Sequence, residues 1–266
     1  MLSPDQIAHW NAFGFVVLPQ LFGQDEVKDL REATIEVINQ GDGAKAFSEP
    51  PTWGMGAFCE RHPVLTDWLV DDRIYGISEA LLGPDFLLET NSGYMFWGDT
   101  LWHGGFASDE SPESFYTVCK IVMYFDPLTR EDGALRVIPG THRRPFGDLI
   151  KPQDLGQGPD GRESNPFGVA QEDVPCVSLQ SEPGDVIVFT ERLFHSSFGG
   201  KKGRLQLSSE YSENPITEPQ IARMRAEHDK LTFSHHPAQS YIDSDNPRLK
   251  NMVSRMVELG FTPYRV

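Results

Sequence analysis

The chain has 266 residues, 39% of them hydrophobic, and carries 39 acidic against 23 basic side chains for a formal charge of −16. That length buries a full core within one fold, and the acidic balance excludes a sequence-independent grip on nucleic-acid polymers, which needs a basic face. It leaves room for a small anionic ligand held by a few local Arg or Lys side chains. Cys59, Cys119 and Cys176 are odd in number, widely spaced and without a CxxC pair. This fits a reducing cytoplasm, not a disulfide framework or a structural zinc site. No run reaches the length of a membrane span, and the first residues carry neither a basic nor an apolar leader region. The expectation is a cytoplasmic protein with no membrane segment.

Ser3-Pro4-Asp5-Gln6 predicts a helix start, with Ser3 as N-cap, Pro4 in the first turn and Gln6 completing a capping box. Ile7, Trp10 and Phe13 form its apolar stripe, Gly14 ends it, and Phe15–Leu18 follows as a short strand. A second helix opens at Asp25-Glu26, with Val27, Leu30, Thr34, Val37 and Ile38 at helical spacing. It stops near Gly41-Asp42-Gly43.

From about residue 84 the texture turns to β, with runs at 86–90, 117–125, 134–138, 174–179, 185–189 and 204–211. Residues 145–173 are rich in Gly, Pro, Asp and Asn and predict a long surface insertion. After Thr217 helical spacing returns, through Ile221, Met224 and Leu231 and then Leu249, Met252, Val253, Met256 and Leu259. The fold class is therefore mainly β with flanking helices, a double-stranded β-helix or cupin-like jelly roll. It forms one domain over 1–266, with N-terminal helices over about 3–80, a β core over 84–212 and C-terminal helices over 217–262. An α+β sandwich without a central cavity is the alternative.

Three residues carry the chemistry. His103 stands in Trp102-His103-Gly104-Gly105, His195 just past the apolar strand ending at Phe189, and Arg204 at the start of the next β run. A histidine two residues before an acid, with a second histidine far downstream, builds the two-His-one-carboxylate site of non-haem iron oxygenases. Here the acid position holds Gly105. Arg204 has the planar fork that pairs bidentately with the distal carboxylate of a keto acid.

The N-terminal helix leading to Gly14–Leu18, the stretch Asp132-Gly133-Ala134-Leu135-Arg136-Val137-Ile138-Pro139-Gly140-Thr141-His142, and the segment from Pro183-Gly184-Asp185 to Arg204 resemble the phytanoyl-CoA dioxygenase family. The resemblance runs over about residues 3–212. It implies an iron(II)- and 2-oxoglutarate-dependent oxygenase using O2, in which His103 and His195 bind iron and Arg204 binds 2-oxoglutarate. Thr100 is a further candidate contact to that cosubstrate. Hydroxylases of the family carry Asp where this chain has Gly105, and the Gly variant resembles the halogenases of the class. The resemblance thus implies chloride or bromide on iron at Gly105, and halogen transfer to an unactivated aliphatic carbon. The physical reason is independent of the family: removing a carboxylate frees one anionic ligand position and its volume, and a glycine lacks the Cβ that would crowd a large anion.

Two alternatives stand beside this reading. Asp99 or Asp109 reaches iron and makes the enzyme a hydroxylase, or the chain is a non-catalytic binding relative. His142 reads as a structural turn residue. Phe96, Trp97, Trp102 and Phe106 form an aromatic cluster around the iron-binding loop, mostly as core. The resemblance implies a small-molecule substrate of nucleotide or amino-acid type in natural-product biosynthesis, and the acidic chain, which disfavours docking to an acidic carrier protein, favours a freestanding one. Arg143, Arg144, Lys151, Lys201 and Lys202 are candidate phosphate contacts that surface solvation explains equally well.

Overall fold

The computed structural model describes residues 2–40, 52–105, 111–150, 168–200, 202–231 and 233–266. The first helix, α1, spans Pro4–Phe13, with the Ser3–Gln6 capping box formed and Gly14 in the left-handed conformation at its end. Strand β1 is Phe15–Leu18, and α2 runs Gln24–Gln40 with Val27, Leu30, Ala33, Thr34, Val37 and Ile38 buried. Sequence periodicity missed the next three elements, β2 (Trp53–Gly56), α3 (Pro63–Val70) and α4 (Asp72–Leu82). Two of the three are under ten residues, too short for a period to stand out.

The β region comprises β3 (Leu87–Phe96), β4 (Thr100–His103), β5 (Val118–Tyr124), β6 (Leu135–Val137), β7 (Val177–Leu179), β8 (Val186–Thr190), β9 (His195–Ser197) and β10 (Arg204–Ser212). Strand β3 runs past the predicted 86–90 through Gly93, and β4 and β9 occupy stretches expected to be loop. Within 145–173, α5 (Phe146–Ile150) and a 3-10 turn at Gln171–Asp173 replace part of the expected insertion. Residues 151–167 lie outside the described residues. At the C-terminal end come α6 (Glu218–His228), α7 (Gln239–Ile242) and α8 (Pro247–Glu258). Leu231 falls beyond α6 and is exposed.

Two antiparallel sheets face each other: β1-β8-β5-β10-β3-β2, and β4-β9-β6-β7. This is the jelly roll that the sequence suggests, with the alternation of each strand assigning its faces. On the large sheet Cys119, Ile121, Met123, Val186, Val188, Leu205 and Leu207 join the core formed with α2, α3 and α4. The opposite face sends Val122, Ile187 and Phe189 against Leu135, Val137 and Leu179 of the small sheet. Between the sheets, β10 presents Arg204 and Gln206 to a cavity where a fully apolar strand would present core residues.

A buried ion pair docks α6 onto the barrel: His228 meets Glu89 on β3, and both side chains are buried. Burial alone would lower the pKa of His228, but the hydrogen bond and charge of Glu89 outweigh it and raise it; Glu227 and His235 face the same ring. Burial likewise works to raise Glu89, and His228 brings it below its ordinary value. The stability from His228 is therefore complete below its unfolded pKa, near 6.5, and lost as pH rises through the raised folded value. That from Glu89 is complete above about 4.5 and lost as pH falls through the lowered one. Urea midpoints are expected to fall on the alkaline side of pH 6.5, and His228→Gln to remove that fall; an unchanged alkaline limb in the variant contradicts the assignment.

Candidate active site

Strands β4 and β9 pair so that His103 lies directly opposite His195, and the two ring centroids are 4.0 Å apart. His103 Nδ1–H donates to the Leu101 carbonyl at 2.8 Å and His195 Nδ1–H to the Leu193 carbonyl at 2.7 Å. A carbonyl oxygen only accepts, so each tether fixes the proton on Nδ1 and leaves the Nε2 lone pair free. His195 is buried and His103 exposed. Burial, then the neighbouring His103, push the His195 pKa well down and keep the ring neutral, the form in which imidazole binds a metal. The loops before and after this pair are pinned to it. Gly105 N–H donates to the Arg192 carbonyl at 2.9 Å, while Phe194 N–H donates to Thr141 Oγ1 and Ile138 N–H to the Phe194 carbonyl.

The two histidines line one cavity together with Thr100, Arg204, Phe96, Lys120, Tyr124 and Gln206. Arg204 is 3% exposed. Its guanidinium donates to the Gly133 carbonyl at 2.8 Å and the Gly98 carbonyl at 3.1 Å, and its buried Nε has no partner. Burial lowers its pKa, with Tyr124 and Asp99 opposing. Its hydrogen-bond partners are neutral carbonyls and Asp99 acts on it only through space, so a ligand carboxylate in the cavity would complete its compensation. Gly133 explains part of the DGALRVIPGTH stretch: a Cβ there would lie 1.8 Å from the guanidinium. Two free Nε2 atoms and a buried guanidinium in one cavity fit iron(II) chelated by 2-oxoglutarate.

Among the described residues no group of three His, Cys, Asp or Glu side chains stands ready for a metal. Asp99 is turned away, its Oδ1 accepting from Gly199 N–H at 2.8 Å; Asp109 and Phe106 lie outside the described residues. Gly105 does not line the cavity. Its φ is +85°, and a Cβ there would meet the Phe194 ring at 2.8 Å.

Of the aromatic cluster, Phe96 lines the cavity, whereas Trp102 packs against Phe194 and Phe198 and donates to the Gln171 carbonyl. Trp97 packs against the helix-side core. His142 is half-buried against Gly14. Arg143 donates to the Asn11 carbonyl and Arg144 pairs with Asp148, both beside a separate cavity near Trp10. Lys202 is exposed, and Lys151 and Lys201 fall outside the described residues.

Sequence reasoning missed Lys120 and Glu210, which pair across β5 and β10 at 2.6 Å, with Glu191 3.4 Å from the same ammonium. Burial works against the Lys120 charge, but the two carboxylates raise its pKa and hold it charged. The signal was a lone lysine within the apolar run Val118-Cys119-Lys120-Ile121-Val122, at an inward position.

The sequence profile of the phytanoyl-CoA dioxygenase (PhyH) family matches residues 10–204. Ectoine dioxygenase of Sphingopyxis alaskensis is 25% identical over 225 residues, covering 74% of this chain and 71% of that protein. Methylphosphonate hydroxylase of Gimesia maris is 26% identical over 210 residues, covering 74% of each. In fold, the chain resembles HygX from Streptomyces hygroscopicus with nickel and 2-oxoglutarate bound, at a TM-score of 0.64 and 19% identity over 82% of this chain and 90% of that one. EctD from S. alaskensis with 2-oxoglutarate and 5-hydroxyectoine gives a TM-score of 0.60 at 20% identity, over 82% and 79%. No helix among the described residues is long and apolar enough to cross a membrane. A profile spanning most of the chain, on a jelly roll with paired histidines in its cavity, places this protein in the phytanoyl-CoA dioxygenase family of iron- and 2-oxoglutarate-dependent oxygenases.

Proposed function

We propose that the chain attacks an unactivated aliphatic C–H bond of a freestanding small molecule, with His103 and His195 on iron(II), Arg204 and Thr100 on 2-oxoglutarate, and chloride or bromide at the position Gly105 leaves without a carboxylate. The carrying observation is the donor set: two tethered histidines with no third metal-binding side chain beside them among the described residues. Iron(II) with 2-oxoglutarate and O2 supplies the oxidising power that breaks the C–H bond. The protein does the rest. The Leu101 and Leu193 carbonyls aim the two imidazoles, and Arg204 fixes the far carboxylate of the keto acid so that its keto end faces the histidines. Phe189, 4.9 Å from the His195 ring, and Leu135 close the cavity on its apolar side.

Hydroxylation is the second reading, and the relatives favour it: the ectoine and methylphosphonate enzymes are a dioxygenase and a hydroxylase, and nothing in their names speaks for a halide. On that reading an acid outside the described residues, Asp109, completes the iron site.

Two experiments test these roles. Anaerobic loading with iron(II) and 2-oxoglutarate is expected to give a visible charge-transfer band that chloride shifts saturably, and Gly105→Asp to abolish the chloride response. The left-handed backbone and the Phe194 ring also make that variant less stable. A wild-type band indifferent to chloride selects hydroxylation, and no band at all selects the non-catalytic alternative. Separately, Arg204→Ala is expected to weaken 2-oxoglutarate binding by on the order of a hundredfold, the effect of removing one partner of a buried charge pair. Unchanged affinity removes Arg204 from this role.

A further inference from the structure

Beside Arg143 and Arg144 lies a cavity of about 600 Å³, within the range that small-molecule sites occupy. It shares no described lining residue with the cavity of His103 and His195. Thr190 lines the one and Phe189 the other. Consecutive on β8, these two point to opposite faces of the large sheet, so the strand stands between the cavities. An occupant of the larger cavity is therefore a separate ligand from the keto acid.

The local charge reverses that of the chain. Against a formal charge of −16 overall, the described residues lining this cavity include Arg143 and Arg144 and no Asp or Glu. His142 adds no charge: burial lowers its pKa, with the Asn11 backbone opposing and Arg143 adding to the effect. The described acids adjacent to lining residues are engaged elsewhere or face solvent. Asp148 stands 3.4 Å from Arg144, with both side chains part-exposed. Glu213 accepts from Thr117 N–H at 2.7 Å, Glu191 pairs with Lys120, and Glu113 is exposed.

No carboxylate among the described residues pairs with Arg143. Its Nη1 donates to the Asn11 carbonyl at 3.2 Å, near the C-terminal end of α1, which places the guanidinium without neutralising it. A further cation, Arg192, lies 4.4 Å from the centroid of the Phe115 ring. The remaining walls select the body of the ligand. Trp10 and Phe115 offer aromatic surfaces, and Asn11, Thr117 and Thr190 add neutral polar groups. Guanidinium forks recognise the oxygens of a carboxylate or a phosphate, and aromatic walls recognise a flat apolar ring.

We propose that this cavity binds a small aromatic anion, its carboxylate or phosphate taken by Arg143 and Arg144 and its ring lying against Trp10 and Phe115. The site is independent of the iron and 2-oxoglutarate assignment. It borders the turn that carries His195: Leu193 N–H donates to the Thr190 carbonyl at 2.9 Å, and the Leu193 carbonyl holds the His195 ring.

The test titrates benzoate, phenyl phosphate, benzyl alcohol and inorganic phosphate by calorimetry into the full chain, held anaerobically with iron(II) and saturating 2-oxoglutarate. At least one of the two aromatic anions is expected to bind, the tighter identifying the head group, and benzyl alcohol is not. Arg143 is exposed, so Arg143→Gln is expected to fold and to weaken the preferred anion about fivefold, the scale of one part-exposed charge pair. Asp148→Asn removes the carboxylate beside Arg144 and is expected to tighten it. Opposite shifts from two surface variants distinguish a ligand site from a merely structural Arg143. Four results overturn the proposal: no binding of either aromatic anion, benzyl alcohol binding as tightly as the preferred one, inorganic phosphate doing so, or an affinity unchanged in Arg143→Gln.

Discussion

The register of two short strands holds the site together. Strands β4 and β9 contribute seven residues between them, yet their pairing puts His103 opposite His195 across the small sheet. The i−2 carbonyl of each histidine then orients its ring, so tautomer and aim come from backbone that the strand has already fixed. A slip of one residue would send one imidazole to the opposite face. The same small sheet, through the pairing of β6 with β9, anchors the 138–141 turn to Phe194, beside His195.

The large sheet supplies the other half of the site. One face of β10 packs Leu205 and Leu207 against the helices, while the other sends Arg204 and Gln206 into the barrel. Burial opposes the charge of Arg204, two glycine carbonyls accept its N–H groups, and a ligand carboxylate would offset the rest of the cost. Helices α2, α3 and α4 seal the outer face, and α6 closes the far end of the barrel through His228 and Glu89.

Much of this was legible in the sequence. The capping box at Ser3–Gln6, the apolar strands and the ordered trio His103, His195 and Arg204 all lead to the jelly roll and its cavity, because each is a local signal of a buried or functional position. What stayed hidden depends on long-range pairing. Nothing local marks Thr100–His103 or His195–Ser197 as strands, since three or four residues show no period and their hydrogen bonds come from each other. Lys120, Glu210 and Glu191 are separated by up to ninety residues and meet only when β5, β8 and β10 assemble. Gly105 was legible as an absence, but the sequence does not say that a Cβ there would crowd the Phe194 ring.

The proposed metal site has two protein ligands and a halide in place of a third. It is tested most directly by a crystal structure of the protein grown anaerobically with iron(II), 2-oxoglutarate and bromide, with diffraction recorded at the bromine absorption edge. The expected result is one anomalous bromine peak within bonding distance of an iron held by His103 and His195, with Arg204 on the distal carboxylate of the keto acid. A carboxylate side chain bonded to iron, with no bromine peak beside it, would contradict that claim and make this protein a hydroxylase.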